Sequence, residues 1–324
     1  MVTGPGQHAA VMMGAMVRCW PVVFLLDSSV ATVEAQPVFR GRVDLVRVGV
    51  TVVDAAGDPV EGLSVEDFVV TEDTRREMVT YFSSGVASDL HTMPFHLGVL
   101  FDASGSMGRD ARFAKTAALR FLRSLDSAEY MTLIDSKVRV SRFSQRDFPR
   151  LVQRLRGQEA KGLTALYDAL GVYLDGAFDQ DGRKVLLLCA DGSDTRSRLR
   201  LNELLELVRA SDVTIYAIGF QTQNRTADRM MTRRRLEEIV ELTGGQAYFP
   251  GSLDDLEAIC QQISDEISTR YSLGYVSNDP ATDGAWRQVT VTLSESRPEL
   301  QQLRVRAREG YFAPYFEDGA PDPR

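Results

Sequence analysis

The sequence predicts a doubly wound α/β domain, with a mainly parallel sheet covered by helices on both faces, flanked by a β-sandwich built from strands at both ends of the chain. Three observations carry this. His96–Phe101 and Val185–Ala190 are unbroken apolar runs of strand length, the pattern of strands buried on both faces. Helix-like and strand-like segments alternate from His96 to about residue 270, as βα units do. The segments before and after this stretch alternate with period two, and each is too short to bury a core alone. We therefore expect residues 37–92 and 271–315 to pair into one sandwich, with 94–270 inserted between them as the α/β domain and 316–324 as a tail.

In chain order, Val43–Val53 alternates as a strand and is closed by the turn residues Gly57, Asp58 and Pro59. Shorter strands follow at Phe68–Thr71 and Met78–Phe82. After His96–Phe101 come a helix at Ala111–Leu125, strands at Tyr130–Ile134 and Val138–Phe143, and helices at Phe148–Leu155 and Ala165–Phe178. Beyond Val185–Ala190 the pattern gives a helix at Leu199–Val208, a strand at Val213–Phe220, a helix at Arg234–Leu242 and a short strand at Gln246–Phe249. Ser252 and Asp255 have capping-box spacing, and Leu253, Leu256, Ile259, Ile263 and Ile267 recur as one helical face. Strands return at Tyr271–Val276, Trp286–Leu293 and Leu303–Ala307.

The chain has 324 residues, 44% hydrophobic and 25% charged, which is ordinary globular composition. Its formal net charge of −8 removes any global attraction to nucleic acid or anionic lipid, so an anionic partner requires a local positive site. One candidate is Asn224–Arg235, which carries Arg225, Arg229, Arg233, Arg234 and Arg235 and reads as a basic loop leading into a helix. Residues 1–35 read as a signal peptide, with an apolar run from Ala9 to Leu26 and a small-residue cleavage pattern before Gln36. An uncleaved anchor is the alternative, opposed by Arg18 in the middle of the run. The three cysteines, Cys19, Cys189 and Cys260, have no zinc spacing, and Cys189 and Cys260 are open to either a bridge or two buried thiols.

Ligands in open α/β sheets bind beyond the carboxyl ends of strands. Asp102, Ser104 and Ser106 follow the strand ending at Phe101, Thr164 precedes a helix, and Asp191 follows the strand ending at Ala190. Two carboxylates and three hydroxyls form a hard oxygen set suited to Mg²⁺ with coordinated water, leaving room for an external ligand. Asp-x-Ser-x-Ser alone reads equally well as a helix N-cap, so it is the combination that discriminates. With only three histidines, a Ser-His-Asp hydrolase is disfavoured, and no phosphate-loop ending is present.

These residues resemble the metal-ion-dependent adhesion site (MIDAS) of the von Willebrand factor A (VWA) domain family, together with Gly162-Leu-Thr-Ala-Leu-Tyr-Asp168 and Asp191-Gly-Ser-Asp-Thr195. The flanks, ending in Gly310-Tyr-Phe-Ala-Pro314, resemble those of bacterial secreted VWFA-related proteins. The resemblance implies Mg²⁺ or Mn²⁺ at Asp102, Ser104, Ser106, Thr164 and Asp191, and binding of a protein ligand that supplies an acidic side chain. It implies no enzymatic activity and a secreted, periplasmic or cell-surface location. A metal-dependent hydrolase and a structural module with a vestigial site are the competing readings.

Overall fold

A computed structural model describes residues 45–85, 94–102, 104–107, 110–125, 128–135, 137–159, 161–178, 180–220, 226–279 and 281–315. The expected leader, residues 1–35, and the tail, 316–324, lie outside the described residues. Val43–Arg324 forms one compact unit. Among the described residues no helix is long and apolar enough to cross a membrane.

The first flank supplies β1 (Leu45–Val53), β2 (Phe68–Glu72), β3 (Arg75–Glu77) and β4 (Val79–Ser84). The α/β part runs β5 (Phe95–Phe101), α1 (Asp110–Ser124), β6 (Tyr130–Asp135), β7 (Arg139–Ser144), α2 (Phe148–Arg156), α3 (Leu166–Phe178), β8 (Arg183–Ala190), α4 (Leu201–Ala210), β9 (Thr214–Gly219), α5 (Thr226–Glu241), β10 (Ala247–Tyr248) and α6 (Leu253–Thr269). The second flank adds β11 (Tyr271–Val276), β12 (Trp286–Leu293), β13 (Arg304–Ala307) and β14 (Gly310–Phe312).

The central sheet has six strands in the order β10-β9-β8-β5-β6-β7, parallel throughout except for the antiparallel edge strand β7. Alternate side chains of its fully buried strands enter two cores. On one face Leu97, Val99, Leu187 and Cys189 pack with α1, α2 and α6, and on the other Leu100, Leu186 and Leu188 pack with α3, α4 and α5. Burial on both faces is why these strands read as continuous apolar runs. Cys189 and Cys260 are free thiols in the first of these cores, and burial pushes the Cys189 thiol well above its ordinary value.

The flanks combine as the sequence predicts. One antiparallel sheet has the order β13-β1-β11-β4 and the other β14-β12-β2-β3, so each draws strands from both ends of the chain. Val48, Val50, Leu273 and Tyr275 of the first sheet share one core with Phe68, Val70, Val289 and Val291 of the second. Asp67 ties the two flanks at the edge of this core. It is 2% exposed, accepts from the Ser64 N–H (2.8 Å) and hydroxyl (2.9 Å), and meets Arg297 at 2.6 Å. The Ser64 amide and the Arg297 guanidinium outweigh burial and hold its carboxyl below the usual 3.8. A carboxyl lowered by folding contributes stability above its unfolded pKa and loses it as pH falls through the folded value. Asp67→Asn is therefore expected to cost about 1–2 kcal/mol at pH 7. The difference from the parent protein should shrink in urea unfolding as pH falls below about 3.8.

Three expectations need correction. Leu253, assigned to the apolar face of α6, is 51% exposed because it lies in the first turn, and Cys260 packs in the core alongside Leu256, Ile263 and Ile267. The helix expected from Arg234 begins at Thr226, so the described part of the basic segment is helical rather than a loop. Its first half, Thr-Ala-Asp-Arg-Met-Met-Thr-Arg, lacks an apolar period, and packing of Leu236, Ile239 and Val240 supplies the helix's anchorage. Strands β3 and β14, three residues each, carry too little pattern to be read locally and form by pairing with β2 and β12.

Candidate metal centre

Strand order reverses between β5 and β8: the chain proceeds outward from β5 through β6 to β7, then crosses back to β8 and proceeds outward through β9 to β10. This is the topological switch point, where adjacent carboxyl ends open a crevice. Asp102 and Asp191 leave those two neighbouring strands, whose ends are in register at Phe101 and Cys189, and the Asp102 N–H donates to the Cys189 carbonyl at 2.8 Å. Ser104 follows, its N–H donating to Asp102 Oδ1 at 2.8 Å. Ser106 sits on the 3₁₀ turn Gly105–Met107, and its side chain lies outside the described residues. Thr164 ends the loop entering α3. The Gly105 N–H donates to the Gly162 carbonyl at 2.9 Å, which draws that loop beside the Asp-x-Ser-x-Ser turn.

Asp102, Ser104, Thr164 and Asp191 are 0, 1, 2 and 4% exposed. Both turns that shape the loops use glycine in the left-handed region, Gly162 at φ +87° and Gly192 at φ +72°. At Gly192 a Cβ would also lie 2.6 Å from Thr232 Cγ2, so α5 packs directly against the Asp191 turn.

A second set of residues, not singled out as functional from sequence, holds these loops. Asp194 Oδ2 accepts from the Tyr167 N–H in the first turn of α3 (3.0 Å) and from the Ser197 hydroxyl (2.5 Å). Its Oδ1 accepts from the Ser197 N–H (3.0 Å). Asp168 accepts from the amides of Arg198 and Leu199, both at 3.0 Å, and the Thr195 hydroxyl accepts from the Thr164 N–H at 3.1 Å. The loop after β8 and the entry to α3 are thus clamped by reciprocal bonds. The signal in sequence was Asp194-Thr-Arg-Ser197, an Asp followed by hydroxyl residues that favours local side-chain-to-backbone bonds.

The donor set fits a hard divalent cation. Two carboxylates and two hydroxyls on three loops are taken out of water, and no basic side chain forms an ion pair with Asp191 among the described residues. A carboxylate buried like that of Asp191 calls for a compensating positive charge or hydrogen-bond donors. Among the described residues there is no group of three or more His, Cys, Asp or Glu side chains of metal-binding kind, and the candidate set is a mixed carboxylate-hydroxyl one of hard oxygen donors. His96 is at the opposite end of β5, stacked on Tyr130 at 4.9 Å, with its Nε2 2.9 Å from the Asp181 carbonyl and its pKa lowered chiefly by burial. It cannot serve Ser104 as a base. His91, the other histidine of that junction, lies outside the described residues.

The von Willebrand factor type A domain profile matches residues 96–262. Among solved structures, mussel byssus proximal thread matrix protein 1 with a zinc-occupied MIDAS motif is 17% identical, with a TM-score of 0.42 over 54% of this chain and 48% of that one. The pilus adhesin SpaC of Lactobacillus rhamnosus GG is 11% identical, with a TM-score of 0.43 over 79% and 49%. A von Willebrand factor type A protein of Catenulispora acidiphila is 12% identical, with a TM-score of 0.42 over 86% and 76%. The chain spans about half the length of the mussel and Lactobacillus chains. A search of curated proteins returns no match. The profile covers more than half of the 324 residues and its match contains the whole candidate centre from Asp102 to Asp191, and the chain belongs to the von Willebrand factor type A domain family.

Proposed function

We propose that this chain is an exported bacterial binding protein, not an enzyme, that takes a protein ligand through a divalent cation. Asp102, Ser104, Ser106, Thr164 and Asp191 would hold the ion, Mg²⁺ or Mn²⁺, and an acidic side chain of the ligand would complete its coordination. The observation that carries this reading is the burial of two carboxylates and two hydroxyls on three clamped loops at the switch point. Membership of the VWA family supports the class of ligand. Bound there, the ion would supply electrophilic attraction for a carboxylate. The chain's own residues preorganise the donors: Asp194 and Asp168 fix the loops, and Gly162 and Gly192 let the backbone turn.

His96, at the opposite end of its strand from Ser104, is not placed to act as the base of a serine nucleophile. Export would follow from the leader at residues 1–35, placing the mature chain in the periplasm, at the cell surface or outside the cell.

Thermal unfolding of the full chain in Mg²⁺, Mn²⁺ or EDTA tests the reading. An ion at a hundredfold excess over its Kd adds about 2.7 kcal/mol to the folded state. The midpoint should therefore rise by roughly 5–10 °C. Asp102→Ala should abolish the rise. A rise of equal size in Asp102→Ala would remove the ion from this site.

A further inference from the structure

A second surface lies beside the centre. A groove of about 820 Å³ runs along the edge strand β7 and the outer face of α2, lined by Lys137, Arg139, Arg142, Arg150, Arg154 and Lys161. Only two carboxylates share this wall: Asp147 meets Arg150 at 3.6 Å, and Glu159 meets Lys161 at 2.5 Å. Arg139 is bound by Asp135 at 2.5 Å. Lys137, Arg142 and Arg154 are exposed and form no ion pair within 4 Å among the described residues, and the Glu159 carboxyl stands near enough to Lys137 to feel its charge. Six basic side chains against Asp147, Glu159 and the neighbouring Asp135 leave this concavity locally positive on a chain whose net charge is −8.

The groove is continuous with the centre. Lys137 follows β6, and its Cε would stand 3.8 Å from a Cβ built on Gly162, the residue whose carbonyl receives the Gly105 N–H between Ser104 and Ser106. At this end the groove opens onto the Thr164 loop, and at the other it reaches Arg150 and Arg154, one turn apart on α2. The opposite face of α2 is anchored in the core by Leu151 and Leu155, so the arginines stand on a fixed helix.

We infer that this groove is the docking track for an acidic, extended segment of the protein ligand, with carboxylates flanking the one that reaches the ion. The inference rests on the proposed function for the ligand's final carboxylate, but the track itself is read from its own charges. A protein segment fits better than a nucleic acid: Phe143 is the one aromatic side chain in the lining and is partly buried against the core, so no row of stacking platforms is offered, and Asp147 and Glu159 would oppose a continuous phosphate backbone. Surface potential of this kind acts chiefly on association rate and on salt dependence.

The probe is a fluorescein-labelled deca-glutamate peptide, followed by anisotropy against the full chain at 20 and 150 mM NaCl in Mg²⁺. The triple variant Lys137→Glu/Arg142→Glu/Arg154→Glu alters exposed side chains only, and its unfolding midpoint confirms folding. It should weaken peptide binding at least tenfold and flatten the salt dependence, whereas Arg75→Glu/Arg76→Glu on β3 should leave both unchanged. Peptide binding that survives the triple variant, or is absent at 20 mM NaCl, overturns the inference. Tighter binding of a single-stranded (dT)10 than of the peptide also overturns it, assigning the groove to nucleic acid. The metal reading fails separately: if EDTA and Asp102→Ala leave binding intact while the triple variant abolishes it, the track stands and the ion's role does not.

Discussion

Glu266→Ala is expected to destabilise the folded chain by about 3–5 kcal/mol, a large fraction of the stability of an ordinary domain. Glu266 lies near the end of α6 and is 0% exposed. Its Oε1 accepts from the Tyr248 hydroxyl at 2.8 Å, and its Oε2 faces the Arg306 guanidinium of β13 at 2.6 Å, close enough for an ion pair though not aligned as a hydrogen bond. Arg306 also bonds Gln246 beside β10. This joins the edge of the central sheet, the last helix of the α/β part and the sandwich in one buried network. Nearby, Arg270 is buried between α6 and β11 and donates to the Gly49 carbonyl at 2.9 Å, in space that exists because residue 49 has no Cβ. Removing Glu266 leaves Arg306 with an uncompensated charge and Tyr248 without its acceptor. Chemical denaturation of Glu266→Ala measures the loss. The double variant Glu266→Met/Arg306→Met should recover the part due to the uncompensated charge on Arg306, while the Tyr248 hydroxyl still lacks its acceptor. A loss below about 1 kcal/mol would show that water reaches the pair.

Asp194→Ala is expected to reduce ion affinity by roughly 10- to 100-fold although Asp194 is outside the proposed donor set, the usual effect of removing a group that orients ligands. Without it the Tyr167 N–H at the start of α3 loses its acceptor, and Ser197 loses the carboxylate that holds its amide and hydroxyl. The loop carrying Thr164 and the loop after Asp191 then lose one of their shared fasteners. The helix-capping part should cost about 1–2 kcal/mol in stability. Mn²⁺ titration of a variant shown to be folded separates the two effects. Unchanged affinity would mean that Asp168 and Thr195 suffice to hold the loops.

The fold was legible because its period changes with architecture. Strands β5 and β8 are apolar on both faces and end abruptly in Asp102 and Asp191, so the residues that carry the central sheet also mark where it stops. The flanking strands alternate because one face of each sheet meets the shared core. What stayed hidden was set by contacts distant in sequence. Nothing local to Glu266 or Arg306 announces their pairing, since a Glu on a helix and an Arg on a strand ordinarily face water. The first half of α5 lacks an apolar stripe, so its basic residues read as loop; in the structure Arg233 pairs with Glu237 at 2.8 Å and stacks on Phe249 at 4.6 Å. The proposed donor residues were visible as residues following the right elements, but the register that brings Asp102 beside Asp191 depends on β5 pairing with β8 rather than with β9, which is a property of topology.

Whether Asp102 and Asp191 hold one divalent ion between neighbouring strands is decided by isothermal titration of Mn²⁺ into the full chain and into Asp102→Ala and Asp191→Ala. One equivalent should bind the parent chain and none either folded variant. Stoichiometric binding that persists in both variants would contradict it.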